Sequence, residues 1–447
     1  MSKKKFNIII KNKINNFNKT IKVDSDKSIS IRSLLISAIS QNISKIKNIL
    51  ESEDVMSTIN CLKKLGIKII KKNKIYFVYG KGLGGLFAKK NTRLNFGNSG
   101  TLARLLIGIL STTPNLELNL TGDNSLKKRS MKNLIDLMSK FGVYFYPKKK
   151  NYLPLKIISS NMPVGISYNA GVSAQLKSAV LLAGLNSNGL TTVFEKKLSR
   201  DHTERMLSIN NKVIKYKNGK NKTIKIFGKK NLKALDLKIF GDPSSAAFFC
   251  ALTLLKKNSS LKILNVGLNA RRIGFYQLLK NQGAKIKFKN LRRLNHELCG
   301  DIIIEHSKLN PLKANKDYYV KATDEYPILF VMAGLTKGIS IFEGIGDLVN
   351  KESNRIKEMQ KILRQIGIKS KASRNKLKIF GKGLIDASNK EIILENLGDH
   401  RICMSTFILA ILTGAKTKIK NFETVNTSSP SFLKIVKLLG AKFEIQK

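Results

Sequence analysis

Leu62-Lys63-Lys64-Leu65-Gly66-Ile67 reads as the last turn of a helix, a stop, and the first residue of a strand. Glycine stops a helix because it enters the left-handed conformation at no steric cost. The phrase returns as Met138-Ser139-Lys140-Phe141-Gly142-Val143, Lys280-Asn281-Gln282-Gly283-Ala284, Arg364-Gln365-Ile366-Gly367-Ile368 and Lys437-Leu438-Leu439-Gly440-Ala441. A sixth copy, Met206-Leu207-Ser208-Ile209-Asn210-Asn211, puts Asn211 in the glycine slot, where Asn is the usual substitute. One such junction is ordinary α/β punctuation. Six of them, at 66, 142, 211, 283, 367 and 440, recur every 69 to 84 residues and predict one α/β unit copied six times.

Each repeat also holds an earlier helix that opens on small or polar residues. These starts fall near Ser28, Gly100, Ser173, Ser244, Glu325 and His400, 71 to 81 residues apart, in step with the glycine stops. The helices have the right period: Leu102, Leu105, Leu106, Ile109 and Leu110 follow Thr101, and Met404, Phe407, Ile408, Ile411 and Leu412 follow Asp399. A helix start exposes unpaired N–H groups and the positive end of the helix dipole, so it takes phosphate or carboxylate readily. Threefold packing that aims three starts one way in each half, with the halves facing, would enclose an anion-seeking cleft.

The bulk numbers bound this picture. A chain of 447 residues, 42% hydrophobic, is long enough for two groups of three units that each bury a core. The four cysteines (Cys61, Cys250, Cys299, Cys403) are scattered without metal-ligand spacing, and a reducing compartment is the default for them. There is no apolar stretch long enough for a bilayer and no apolar signal core after Met1. A formal charge of +53 ordinarily points to nucleic acid. Here 14 of the 82 basic residues are Arg and the other 68 are Lys, spread over nearly every segment rather than gathered in a stripe. Lys, Asn and Ile share AT-rich codons, so mutational bias accounts for the excess, and the field still draws small anions.

Against that lysine background, arginine falls at the helix starts and the loops beside them: Arg32, Arg104, Arg129, Arg200, Arg355 and Arg401. A guanidinium fork binds carboxylate or phosphate bidentately, which lysine cannot do. A single arginine of this kind would be a surface cap. Six in small-residue contexts argue for an anion site.

Taken together, these segments resemble the 5-enolpyruvylshikimate-3-phosphate synthase family of enolpyruvyl transferases. The resemblance spans nearly the whole chain. It is carried, in order, by Asp26-Lys27-Ser28-Ile29-Ser30-Ile31-Arg32, Gly97-Asn98-Ser99-Gly100-Thr101 with Arg104, Ser173-Ala174-Gln175-Leu176-Lys177-Ser178-Ala179, Ser199 to Met206, Gly241-Asp242-Pro243-Ser244-Ser245-Ala246-Ala247, Asp324-Glu325-Tyr326-Pro327, Lys351-Glu352-Ser353 with Arg355, and Asp399-His400-Arg401. It implies an α/β (α+β) fold of two domains, each of three βαβαββ units with pseudo-threefold symmetry, an inside-out α/β barrel. Residues 25–239 would form one domain, and residues 1–24 with 240–447 the discontinuous other, with crossings near Val23-Asp24 and Phe240-Gly241. The site would lie in the interdomain cleft, open without ligand and closing on it.

The implied reaction adds the 5-hydroxyl of shikimate 3-phosphate to the enol carbon of phosphoenolpyruvate and then expels phosphate. No metal or organic cofactor is implied. Lys27, Ser28, Arg32, Ser173, Ala174, Gln175, Arg200, Asp324 and Lys351 would hold shikimate 3-phosphate. Lys27, Gly100, Arg129, Gln175, Arg355 and Arg401 would surround phosphoenolpyruvate. The hydroxyl loses a proton while the enol carbon's methylene gains one, so a base and an acid are required. Asp324 is the expected base, with Glu352 and Lys27 carrying the proton to the methylene. Asn98, Thr101 and Arg104 would shape the loop, and His400 would be a neighbour of Arg401 rather than a catalyst. With no side chain at Gly100, glyphosate is expected to fit the phosphoenolpyruvate pocket. The chain departs from the family pattern at Ser130 (usually Pro), Asn354 (usually Asp), Ser429 (usually Phe) and Thr427, where one branch has Lys.

Three rival functions share parts of this pattern. A sister enzyme acting on UDP-N-acetylglucosamine usually carries a reactive Cys in a Pro-Gly-rich loop, and no cysteine here sits in one. A basic nucleic-acid-binding protein needs clustered Lys with stacking aromatics, and the 7% aromatic content is dispersed. An inactive scaffold on the same fold would have no use for Asp324 and Glu352. The expectation is a cytoplasmic monomer acting on two small anions, with no nucleic-acid or membrane partner. The first motif begins by Asp26, which leaves no room for a transit peptide.

Overall fold

Six helices are buried along most of their length, and they set the architecture. In the computed structural model, which describes residues 5–210, 212–217, 221–395 and 397–447, they are α1 (Lys27–Ala38), α2 (Gly100–Thr112), α3 (Ala174–Leu185), α4 (Pro243–Leu255), α5 (Tyr326–Gly334) and α6 (His400–Thr413). In α4, α5 and α6 every residue is buried. A helix with no polar face must be wrapped by other elements. Hydroxyls interrupt the apolar runs, and several bond to the preceding turn: Thr253 Oγ1 donates to Phe249 O at 2.8 Å, and Ser405 Oγ to Arg401 O at 2.8 Å.

Among the described residues, six four-stranded sheets do the wrapping, all of one design. An edge strand lies parallel to the second strand, and two antiparallel strands follow. Thus Thr92–Asn95 is parallel to Glu117–Thr121, which pairs antiparallel with Leu155–Ile158, which pairs antiparallel with Tyr144–Tyr146. With its inner helix and an outer one, each sheet makes a βαβαββ unit. The outer helices are amphipathic: Glu53–Lys64 buries Val55, Ile59 and Leu62 and keeps its lysines at the exposed end.

The chain forms two compact units. One is Ser25–Ile239 with Arg293–Glu297; the other is Met1–Asp24, Phe240–Arg292 and Leu298–Lys447. In the first, the strand Asp236–Lys238 returns to edge the sheet begun by Ile43–Lys47, with Leu237 opposite Ile46. In the second, Asn18–Ile21 edges the sheet of Ser260–Gly267, and Asn7–Ile10 lies between Lys416–Ile419 and Glu444–Gln446. Each unit therefore closes its sheets with strands taken from where the chain enters or leaves it. Arg293–Glu297, the turn joining strands Lys285–Leu294 and Glu297–Glu305, clusters with residues 25–239. Its reason is polar: Arg205 Nη1 donates to His296 O at 2.7 Å, and His202 Nδ1 lies 2.6 Å from Glu297 Oε1.

The glycine stops Gly66, Gly142, Gly283, Gly367 and Gly440 all have φ between +79° and +100°, the left-handed region expected of them. Asn211 lies outside the described residues. Close packing shows at Gly108 of α2, where an added Cβ would lie 2.6 Å from Ala179 O of α3. The second unit fills its centre with aromatic rings, among them Phe407 and Phe432, 5.4 Å apart and edge-on.

Candidate active site

Within each unit the three inner helices bring their N-termini to one end. In residues 25–239 the starts are capped alike. Asp26 accepts from Ile29 N at 2.8 Å, Ser99 from Leu102 N at 3.2 Å, and Ser173 from Leu176 N at 3.3 Å. Gln175 bridges two of them: its Nε2 donates to Thr101 Oγ1 at 3.0 Å, and its Oε1 accepts from Arg104 Nη1 at 3.1 Å. Arg32 bridges toward the third. Its Nε donates to Thr203 Oγ1 at 2.9 Å, Nη1 to Ser28 O at 3.1 Å, and Nη2 to Ser178 Oγ at 3.4 Å.

Lys27 sits in the first turn of α1 with its ammonium 3.1 Å from Asp54 Oδ2. Arg129 Nη2 donates to Asn98 Oδ1 at 2.7 Å and Ser125 Oγ at 3.0 Å, so the Asn98-Ser99-Gly100 loop holds that guanidinium. A Cβ on Gly100 would lie 2.7 Å from Arg104 Nη1 and 3.1 Å from Arg129 Nη1. Two cations thus crowd one helix start, and a side chain at position 100 would push their guanidinium ends aside. Arg200 follows strand Leu190–Glu195 and precedes the short helix His202–Leu207.

The other unit is organised about one wholly buried arginine. Arg355 Nε donates to Asp399 Oδ2 at 2.9 Å and Nη2 to Asp399 Oδ1 at 3.3 Å, the bidentate fork. Nη2 also reaches Glu352 Oε2 at 2.6 Å, and Nη1 lies 3.8 Å from Asp324 Oδ1. Burial alone would push the guanidinium down, but the Asp399, Glu352 and Asp324 carboxylates hold it above its usual range. Asp399 also caps α6 by accepting from Arg401 N at 3.0 Å. Arg401 is buried and stacked over the Phe248 ring at 5.9 Å, yet its Nε and Nη1 reach no protein acceptor among the described residues. A buried guanidinium with undirected donors is built for an anion. At the third start, Glu325 holds the N-cap position of α5, but its carboxylate accepts from Ser244 Oγ rather than from a helix N–H, while Arg272 Nη2 binds Asp242 Oδ1 at 2.9 Å. Asp324 precedes that N-cap position, and its carboxylate lies toward Arg355. Lys351 pairs with Asp347 Oδ2 at 2.5 Å, beside the Tyr319 hydroxyl.

The structure therefore gathers Lys27, Ser28, Arg32, Gly100, Arg129, Ser173, Ala174, Gln175 and Arg200 in one unit, and Asp324, Lys351, Glu352, Arg355 and Arg401 in the other. The four departures from the family pattern all have local roles. Asn354 caps the helix Arg355–Gln365 by accepting from Lys357 N at 3.1 Å, as Asp would. Ser130 Oγ accepts from Lys132 N at 3.2 Å, Ser429 Oγ donates to Asp24 at 3.1 Å, and Thr427 Oγ1 lies 3.4 Å from His400 Nδ1.

Sequence reading missed Asp54, Asp399 as the partner of Arg355, and the polar residues Lys177, Ser178 and Thr203. Most of their partners are remote in sequence, and the local motifs that contain Asp399, Lys177, Ser178 and Thr203 do not show what each one bonds. All four cysteines are buried, and burial pushes the Cys61 thiol up to about 12. Among the described residues no group of three or more His, Cys, Asp or Glu could hold a metal, and no helix is long and apolar enough to cross a membrane.

The sequence profile of the family described as EPSP synthase (3-phosphoshikimate 1-carboxyvinyltransferase) matches residues 11–436. A 3-phosphoshikimate 1-carboxyvinyltransferase from Bacillus cytotoxicus is 36% identical over 417 residues, 93% of this chain and 96% of that one. Its counterpart from Petrotoga mobilis is 38% identical over 425 residues, 94% and 96% of the two chains. The solved EPSP synthase from Acinetobacter baumannii superposes with a TM-score of 0.84 at 32% identity, covering 99% of this chain and all of that one.

Proposed function

The chain belongs to the EPSP synthase (3-phosphoshikimate 1-carboxyvinyltransferase) family, and from that premise we propose how its residues divide the reaction. It transfers the enolpyruvyl group of phosphoenolpyruvate to the 5-hydroxyl of shikimate 3-phosphate and releases phosphate, in the shikimate pathway of aromatic amino-acid biosynthesis.

The observation that supports the division best is the Arg355 cluster. One buried guanidinium draws Asp324, Glu352 and Asp399 to itself. It keeps the Asp324 carboxylate beside a fixed positive charge, which favours the ionised form that a base needs. In our reading Asp324 takes the proton of the 5-hydroxyl as that oxygen bonds to the enol carbon. Glu352, with Lys27, gives a proton to the methylene carbon. The tetrahedral adduct then returns that proton, its carbon–oxygen bond to phosphate breaks, and phosphate leaves with one proton, so both carboxyls end as they began. Arg355, Arg401, Arg129 and Gly100 take phosphoenolpyruvate. Ser28, Arg32, Ser173, Ala174, Gln175, Arg200 and Lys351 take shikimate 3-phosphate. Arg401 is the strongest of the anion assignments, since its Nε and Nη1 lack protein acceptors among the described residues.

The same reading treats the chain as a cytoplasmic monomer that binds two small anions and no nucleic acid, in keeping with lysines scattered along the sequence. The test is phosphate release that requires both substrates. Asp324→Asn and Glu352→Gln are expected to lower kcat by about 10²- to 10⁴-fold while the fold persists. Near-normal turnover in both variants would remove the proton-transfer assignment.

A further inference from the structure

Below the start of α3 lies a set of four charged side chains, all almost wholly buried, that the reaction above does not use. Lys177 Nζ is 2.8 Å from Glu195 Oε1 and 2.8 Å from Glu204 Oε1, and Lys222 Nζ is 3.3 Å from Glu204 Oε1. Lys177 and Glu195 are 0% exposed, Glu204 1% and Lys222 2%. Two ammonium groups and two carboxylates balance, so the set carries no net charge. A buried ion set is poor as a stability device, because desolvation offsets the attraction and an apolar replacement often does as well. Its value lies in fixing geometry.

What it fixes is specific. Lys177 is on α3, two residues after Gln175. Glu195 ends the strand Leu190–Glu195, and its Oε1 also accepts from Ser199 N at 2.7 Å and Ser199 Oγ at 2.6 Å. Ser199 immediately precedes Arg200. Glu204 is on the helix His202–Leu207, next to Thr203. Thr203 Oγ1 donates to Ser178 Oγ at 2.8 Å and accepts from Arg32 Nε at 2.9 Å, and Ser178 Oγ donates to Ala174 O at 2.7 Å. One buried polar lattice thus ties together α1 through Arg32, the first turn of α3 through Ala174, and the Arg200 segment through Ser199.

We propose that Lys177, Glu195, Glu204 and Lys222, with Ser199, are positioning residues for shikimate 3-phosphate, locking the Arg200 segment to the start of α3 and to Arg32. The inference rests on the substrate reading above. These residues touch no substrate; they hold the groups that do.

The experiment pairs a charge-balanced variant with a mild one. Lys177→Met/Glu204→Gln removes one charge of each sign, and Ser199→Ala removes one hydroxyl donor without stranding a charge. Calorimetric titration with shikimate 3-phosphate, and KM for each substrate, are measured beside thermal unfolding. For the double variant we expect shikimate 3-phosphate to bind at least tenfold more weakly, with the phosphoenolpyruvate KM moving less than threefold. Ser199→Ala should weaken the same ligand about threefold with unchanged unfolding, and Lys177→Arg/Glu204→Asp should recover part of the double variant's loss. If the double variant does not fold, Ser199→Ala decides alone. Shikimate 3-phosphate affinity within 1.5-fold of wild type in Ser199→Ala overturns the proposal, as does an equal rise in both KM values in a folded double variant. Wild-type protein that releases no phosphate from the two substrates, and does not bind shikimate 3-phosphate, instead overturns the substrate reading beneath it.

Discussion

At the scale of single residues, Arg355 has the most at stake. Its planar fork satisfies both oxygens of Asp399 and reaches Glu352 with the same nitrogen. Lysine brings the charge without the fork, so Arg355→Lys leaves buried carboxylate oxygens unmet. We expect it to cost about 3 kcal/mol in stability, the scale for breaking a buried pair, and to lower kcat/KM for phosphoenolpyruvate by about 10²-fold. Phosphate release and denaturant unfolding check both; unchanged activity would mean that charge alone suffices. Gly100 makes a different argument, from space. The methyl of Gly100→Ala would press on Arg104 Nη1 and Arg129 Nη1, at 2.7 and 3.1 Å, and those guanidinium ends must yield. The variant should fold normally and raise the KM for phosphoenolpyruvate about tenfold, a shift of roughly 1.4 kcal/mol. It should also raise the concentration of glyphosate needed to inhibit, which a titration of the rate would measure.

Elements carried most of what was legible in the sequence. The inner helices announce themselves by a small or acidic cap before an apolar run, and five of the outer ones by the glycine that stops them. All six starts stand within two residues of where those signals put them. The sheets were harder, because Asn7–Ile10 and Asp236–Lys238 join sheets whose other strands lie far along the chain, and periodicity is blind to remote pairing. The same blindness hid Asp399 from Arg355, 44 residues apart, and Glu204 from Lys177. Two predictions belong here. Helices α2 and α3 touch backbone to backbone at Gly108, where a Cβ has 2.6 Å to Ala179 O. Gly108→Val must part the helices, and overpacking of this kind costs about 1–3 kcal/mol; an unchanged melting temperature would contradict the contact. Burial would raise the Glu204 carboxyl, but Lys177 and Lys222 outweigh it and hold it below its usual value. A depressed carboxyl contributes stability that is present above its unfolded value and lost as pH falls through its folded one. Wild type should therefore lose more stability than Glu204→Gln between about pH 5 and pH 3, and parallel losses would show that Glu204 does not couple to folding.

For the molecule as a whole, the chain's two ends share one sheet: Asn7–Ile10 pairs with Glu444–Gln446, and Ile8 and Ile10 are wholly buried. The charge is the other global property. A formal +53 acts over distances that salt sets, about 30 Å at 0.01 M and about 10 Å at 0.1 M. Both substrates are multiply negative, so a diffuse lysine field should speed their encounter at low salt. Buried groups are screened much less than the surface. Arg355 and Arg401, 1% and 4% exposed, should hold their ligand at any ordinary salt concentration. The two contributions separate in one titration. Between about 20 mM and 300 mM potassium chloride, kcat/KM for both substrates should fall several-fold while kcat changes little, since screening weakens steering and leaves the bound complex intact. A flat kcat/KM would confine the electrostatics to the buried arginines and leave the lysines as surface composition. A parallel fall in kcat would mean that exposed charge takes part in the chemistry, against the division of roles drawn from Arg355 and its carboxylates.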